Sequence, residues 1–74
     1  TDKAIDHTAG TITTLDNKAG AKISGVNQAI AIATGATIEN FTNAGDIEGA
    51  ISIYNNGTIG TLDNSGNISG NIYI

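Results

Sequence analysis

The sequence predicts an all-β chain wound as a parallel β-helix of about three coils, each of about 21 residues with three short strands. Three observations predict it. The composition is dominated by isoleucine, threonine, asparagine and glycine, with no proline, methionine or tryptophan. The β-branched residues favour strands, while asparagine and glycine tolerate the backbone angles of tight turns. The chain also repeats itself, with the same residue types returning at the same positions. Finally, apolar stretches such as AIAIA, residues 29–33, alternate with a period of two, which is a strand period and not the 3.6 of a helix.

The units define the elements in order. TIGTLDNSGNISGNIYI, residues 58–74, aligns without a gap on TIENFTNAGDIEGAISI, residues 37–53, at a spacing of 21 residues. The first unit, TITTLDNKAGAKISGVNQAIAI, residues 11–32, is five residues longer, with one extra near Lys18, one near Lys22 and three from Val26 to Ala29. A partial unit precedes it, in which Ile5 takes the place of Ile32 and Ile53. Residues 1–74 thus read as a single β-solenoid domain: a partial coil 1–10, then coils 11–32, 37–53 and 58–74 with corner turns between.

Within a coil the strands fall around TIGTL, NIS and NIYI. Equivalent strands of successive coils pair in parallel, about 4.8 Å apart. The apolar columns are then Ile12, Ile38 and Ile59; Leu15, Phe41 and Leu62; Ile23, Ile47 and Ile68; Ile30, Ile51 and Ile72; and Ile32, Ile53 and Ile74. Asn17, Asn43 and Asn64 form a polar column, whose amides can satisfy one another as a ladder because each carries both donors and acceptors. Gly20, Gly45 and Gly66 form one glycine column and Gly25, Gly49 and Gly70 another, at corners that need unusual backbone angles. An antiparallel sandwich would use similar strands and turns. It would have no reason to place one residue type at one position every 21 residues, because its successive strands reverse direction. No coil stands alone, since stability in such arrays grows with coil number. With no polar cap and a final NIYI that stops mid-strand, the chain reads as a section of a longer solenoid.

Composition excludes several functions. The net charge is −4, with Lys3, Lys18 and Lys22 the only positive side chains and no arginine. Nucleic acids and anionic membrane surfaces both demand clustered positive charge. There is no cysteine for disulfides, thiolate chemistry or zinc, and no apolar run long enough to span a bilayer as a helix. No basic-then-apolar start marks a signal peptide, so an exported protein would be represented here in mature form or in part.

Candidate sites are few. The carboxylates are Asp2, Asp6, Asp16, Glu39, Asp46, Glu48 and Asp63. Asp16 and Asp63 share a column with Thr42 between them, and Asp46 and Glu48 flank Ile47 and point outward together. Paired carboxylates on a β-helix can cleave glycosidic bonds. Here no arginine or tryptophan accompanies them and no pair repeats, so solvated surface charge is the expectation. His7 stands without a second histidine, and neither a calcium nonapeptide, an EF-hand loop nor a phosphate-binding glycine loop is present. Sequons at Asn40, Asn56 and Asn67 follow from composition. A threonine array of the kind that binds ice begins with Thr11, Thr37 and Thr58 but fails two positions on, at Thr13, Glu39 and Gly60. Tyr54 and Tyr73 sit beside inward isoleucines and are expected to face outward.

Units of the form GTIGTLDNSGNISG resemble the passenger repeats of bacterial autotransporter adhesins, from about Ala9 to Ile74. The resemblance implies a right-handed parallel β-helix displayed outside a Gram-negative cell and anchored by an outer-membrane barrel beyond this chain. The insertions of the first unit depart from the pattern. The expected function is a non-enzymatic structural and adhesive segment, with no catalytic, cofactor or metal residues. Its expected partners are a host-cell surface, the extracellular matrix or further copies of the solenoid, without nucleic acid and without membrane insertion by this segment. The alternative is a fragment of a polysaccharide-binding or -cleaving β-helix such as a phage tailspike, which calls for an aromatic-lined acidic cleft.

Overall fold

The computed structural model describes residues 3–73. They form eight strands and no helix: β1 Lys3–His7, β2 Gly10–Asn17, β3 Lys22–Ser24, β4 Gln28–Ile32, β5 Ala36–Asn43, β6 Asp46–Asn55, β7 Thr58–Asn64 and β8 Asn67–Tyr73. Every pairing is parallel and joins a strand to its equivalent one coil away. One sheet runs β2-β5-β7, and the other runs β1-β4-β6, with β3 and β8 also paired to β6. The chain is therefore a parallel β-solenoid of about three turns.

The isoleucine and leucine columns dictate this winding, because each becomes a stack of like side chains inside the coil. Ile12 pairs with Ile38 and Ile38 with Ile59, while Leu15, Phe41 and Leu62 stack further along the same strands. Ile23, Ile47 and Ile68 form the third stack. The middle coil is the most shielded. Ile38, Phe41, Ile47 and Ile53 are buried, and Ile12, Leu15, Ile23, Ile59, Leu62 and Ile68 on the coils either side pack against them half-buried. The β2-β5-β7 sheet bends midway. Glu39 and Asn40 are both exposed between inward Ile38 and Phe41, so strict alternation breaks there. Gly60 sits at this bend, where a Cβ would lie 2.6 Å from the Glu39 carbonyl oxygen.

Three expectations are corrected. The second and third strands of a coil are separate only in the first coil, as β3 and β4; in the next two they merge into the single bent strands β6 and β8. The columns of the third strand also sit two residues away from those expected. Ile5 stacks on Ile30, Ile30 on Ile53 and Ile53 on Ile72, whereas Ile51 faces Gln28 and Asn71, and Ile32 faces His7 and Asn55. The cause is a pair of irregularities, between Glu48 and Ile51 and between Ile51 and Ile53, across which β8 is two residues shorter than β6. Gly70 takes up the shortened path with φ of +105°, a conformation glycine adopts freely. Correspondingly, the hydroxyl of buried Ser52 donates to the Asn71 carbonyl at 3.0 Å, satisfying a backbone group at the slip. The placement of Ile74 in the column lies outside the described residues.

The third correction concerns the glycine columns, which split in their roles. Gly20 has a positive φ of 84°, but Gly45 does not. Gly45 is required for room: a Cβ there would collide with the carbonyl oxygens of Ala21 and Lys18 in the preceding coil. Gly45→Ala is expected to destabilise the fold by about 2 kcal/mol through this backbone clash. Urea denaturation measures it, and a midpoint equal to that of the unsubstituted chain would show that the corner can open without cost.

Candidate functional site

The most ordered polar constellation is the corner that follows the first strand. Asn17, Asn43 and Asn64 stand in register on β2, β5 and β7. Asn17 Nδ2 donates to Asn43 Oδ1 at 2.7 Å, and Asn43 Nδ2 donates to Asn64 Oδ1 at 2.8 Å. The same amides cover the turn carbonyls beneath them. Asn17 reaches Asp46 O at 3.0 Å, and Asn43 reaches Asn67 O at 3.1 Å and Gly45 O at 3.2 Å. The backbone repeats the motif, with Ala44 and Gly45 N–H groups converging on Asn17 O, and those of Ser65 and Gly66 on Asn43 O. The corner is thus a closed hydrogen-bond network whose central member is fully buried. Its chemistry is structural, since its groups are spent on one another.

Two of the outward carboxylates, Asp46 and Glu48, are engaged with neighbouring coils. Glu48 lies 3.5 Å from Lys22 Nζ, and Asp46 accepts from Asn67 Nδ2 at 3.2 Å. Asp16 pairs with Lys18 at 2.9 Å and holds that exposed ammonium above its ordinary pKa, through the hydrogen bond first and charge second. Asp16 and Asp63 stand either side of Thr42, in the column expected for them. Asp2 lies outside the described residues. No cluster of three or more His, Cys, Asp or Glu side chains that could hold a metal occurs among the described residues. The Glu48 and Asp46 contacts stitch coil to coil across the surface, while Asp16–Lys18 lies within one coil. Because both partners are substantially exposed, Glu48→Gln is expected to change stability by less than about 1 kcal/mol in thermal denaturation. A larger loss would mean that the Lys22 contact anchors the long first coil.

His7 is half-buried at an inward corner position and donates Nε2–H to the Thr37 carbonyl at 3.1 Å. That bond ties the partial coil to the start of coil 37–53. Thr11, Thr37 and Thr58 do align, but Glu39 projects from the bend two positions on, so no flat two-column threonine face results. Of the sequon asparagines, Asn40 donates to Thr13 O at 3.2 Å, Asn67 to Asp46, and Asn56 is exposed at a corner. No protein-family model, curated protein or solved structure matches the chain. The resemblance to adhesin repeats accordingly stands on the repeat units alone.

Tyr54 and Tyr73 form the clearest outward feature. They pair in register, and their rings stack with centroids 4.8 Å apart and planes inclined by 21°. The ring spacing equals the coil rise, so parallel strand pairing itself sets the stack. Sequence reasoning placed both rings outward but not on each other, because the gapless alignment put Tyr73 opposite Ser52. Two further polar residues were missed. Ser52 is buried at the register slip, and Asn55 accepts the Gly57 N–H at 3.0 Å in an Asx turn. The Asn55-Asn56-Gly57 order was the available signal for that turn.

Proposed function

We propose that this chain is a non-enzymatic structural and adhesive segment of a surface-displayed bacterial passenger, which extends and presents a polar face to a host-cell surface, the extracellular matrix or other solenoids. One observation carries the reading: isoleucine columns and an asparagine ladder fill the interior, so the repeat serves the building of a rigid rod. The outer surface varies from coil to coil, as Thr13, Glu39 and Gly60 illustrate. A rod with a variable exterior suits spacing and multivalent contact, where many weak attachments multiply into avidity. The proposed location is the outside of the cell, with the anchoring barrel beyond this chain.

The test is attachment. Beads coated with the chain are incubated with cultured epithelial cells and with immobilised matrix proteins. Beads carrying an unrelated protein of equal net charge serve as the reference. Attachment above the reference supports the reading, and equal attachment on every surface rejects it. Release of reducing ends from bacterial polysaccharides by the purified chain would favour the tailspike-like alternative instead.

A further inference from the structure

The Tyr54–Tyr73 stack is the end of a longer outward column. Register continues it as Asp6 opposite Ala31, Ala31 opposite Tyr54, and Tyr54 opposite Tyr73. Tyr73 covers one face of Tyr54. On the other side the register position is held by the methyl group of Ala31, itself 6% exposed, so the tyrosine stack does not continue there. The result is a depression of about 240 Å³ lined by Lys3, Asp6, Gln28, Ala31, Tyr54 and Asn56, among others. Pockets for drug-sized ligands run to roughly 300–1,000 Å³, so this is a slot for a single ring.

The wall chemistry selects the kind of ring. Tyr54 supplies a flat apolar surface. Around it stand a cation and a carboxylate, Lys3 and Asp6, 3.9 Å apart, together with two amides, Gln28 and Asn56. Gln28 Oε1 is shielded from solvent and has no hydrogen-bond partner among the described residues. An aromatic side chain would use Tyr54 and leave the polar groups unanswered. A pyranose answers both, since one face of the ring presents C–H groups and its rim carries hydroxyls that donate and accept.

We propose that the slot beside Ala31 binds one pyranose unit of a saccharide, its C–H face stacked on Tyr54 and its hydroxyls bonded to Asp6 and Asn56. Among the described residues Asp6 is the one carboxylate of the lining, and the proposal is of binding. The proposal deepens the adhesive reading by naming a ligand class. It is tested on the purified chain in solution, so its outcome is separate from attachment to cells.

The experiment is titration of the 74-residue chain with glucose, galactose, mannose and N-acetylglucosamine, followed by amide chemical shifts and by tyrosine fluorescence. The chain has no tryptophan and only two tyrosines, so the emission reports on the stack directly. At least one sugar is expected to saturate with Kd on the order of 1 mM, moving the amides of Ala31 and Tyr54 and leaving those of the Asn43 corner in place. Ala31→Tyr would continue the tyrosine column, fill the slot and abolish the response, with the circular dichroism of the fold kept. Tyr54→Leu keeps an apolar side chain but removes the ring, and is expected to weaken binding at least tenfold. Tyr73→Ala, on the far side of the stack, should weaken it less than Tyr54→Leu. The proposal is overturned if no pyranose saturates up to roughly 50 mM, well beyond a Kd of about 1 mM. It is equally overturned if the shifts persist in Ala31→Tyr, or in Tyr54→Leu should the first variant not fold.

Discussion

Asn43→Ala is expected to destabilise the solenoid by about 3 kcal/mol, well above the loss from the same change at Asn64. Asn43 is the one rung with a neighbour on either side, donating to Asn64 and accepting from Asn17. It also covers the carbonyls of Gly45 and Asn67. Removing its amide takes one acceptor from Asn17 Nδ2, which keeps the Asp46 carbonyl, and one donor each from the carbonyls of Gly45, which keeps the Asn67 N–H, and Asn67, and each unmade buried bond costs roughly 1–3 kcal/mol. Some of that is recovered by water, because the Asn64 side of the network is exposed. Asn64→Ala removes a single acceptor at the exposed end and should cost about 1 kcal/mol. Urea denaturation followed by circular dichroism compares the two. Equal midpoints would mean that the ladder adds nothing beyond the backbone turns it accompanies.

The contrast between this corner and the third strand explains how far the sequence could be read. At Asn17, Asn43 and Asn64 the residue type is distinctive, and a shift of one or two positions would break the match, so the column and its hydrogen bonds were legible. The first two apolar strands were legible for the same reason, being tied to that corner by short spacings that are equal before it in every coil and equal after it in the second and third. The third strand reads as Ile-x-Ile in each coil. A strand alternates with period two, so a slip of two residues leaves every side chain on the same face, and the pattern alone does not choose between registers. The choice was made by Ser52 capping Asn71, by Gly70 shortening the path, and by Tyr73 meeting Tyr54. None of these is a repeat feature. The slot over Ala31 was hidden for the same reason, since it exists only once Asp6, Ala31, Tyr54 and Tyr73 are known to share a column.

Phe41→Ala is expected to be the most damaging single change, at about 4 kcal/mol. Phe41 is 1% exposed and stands between Leu15 and Leu62, the one large ring in an otherwise leucine column. Truncation loses the transfer free energy of the ring and leaves a cavity. Parallel pairing holds Leu15 and Leu62 at fixed coil spacing on either side, so they cannot close over the gap. A small domain has only roughly 5–15 kcal/mol to lose, and each kcal/mol shifts Tm by roughly 4–8 °C at this size. The thermal midpoint should therefore fall by roughly 15–30 °C. Phe41→Leu makes the column uniform, refills most of the space and should cost no more than about 1.5 kcal/mol. Thermal denaturation followed by circular dichroism separates the two variants. Similar midpoints would mean that the coils can close in on one another at this column, which is incompatible with the rigid rod on which the proposed function depends.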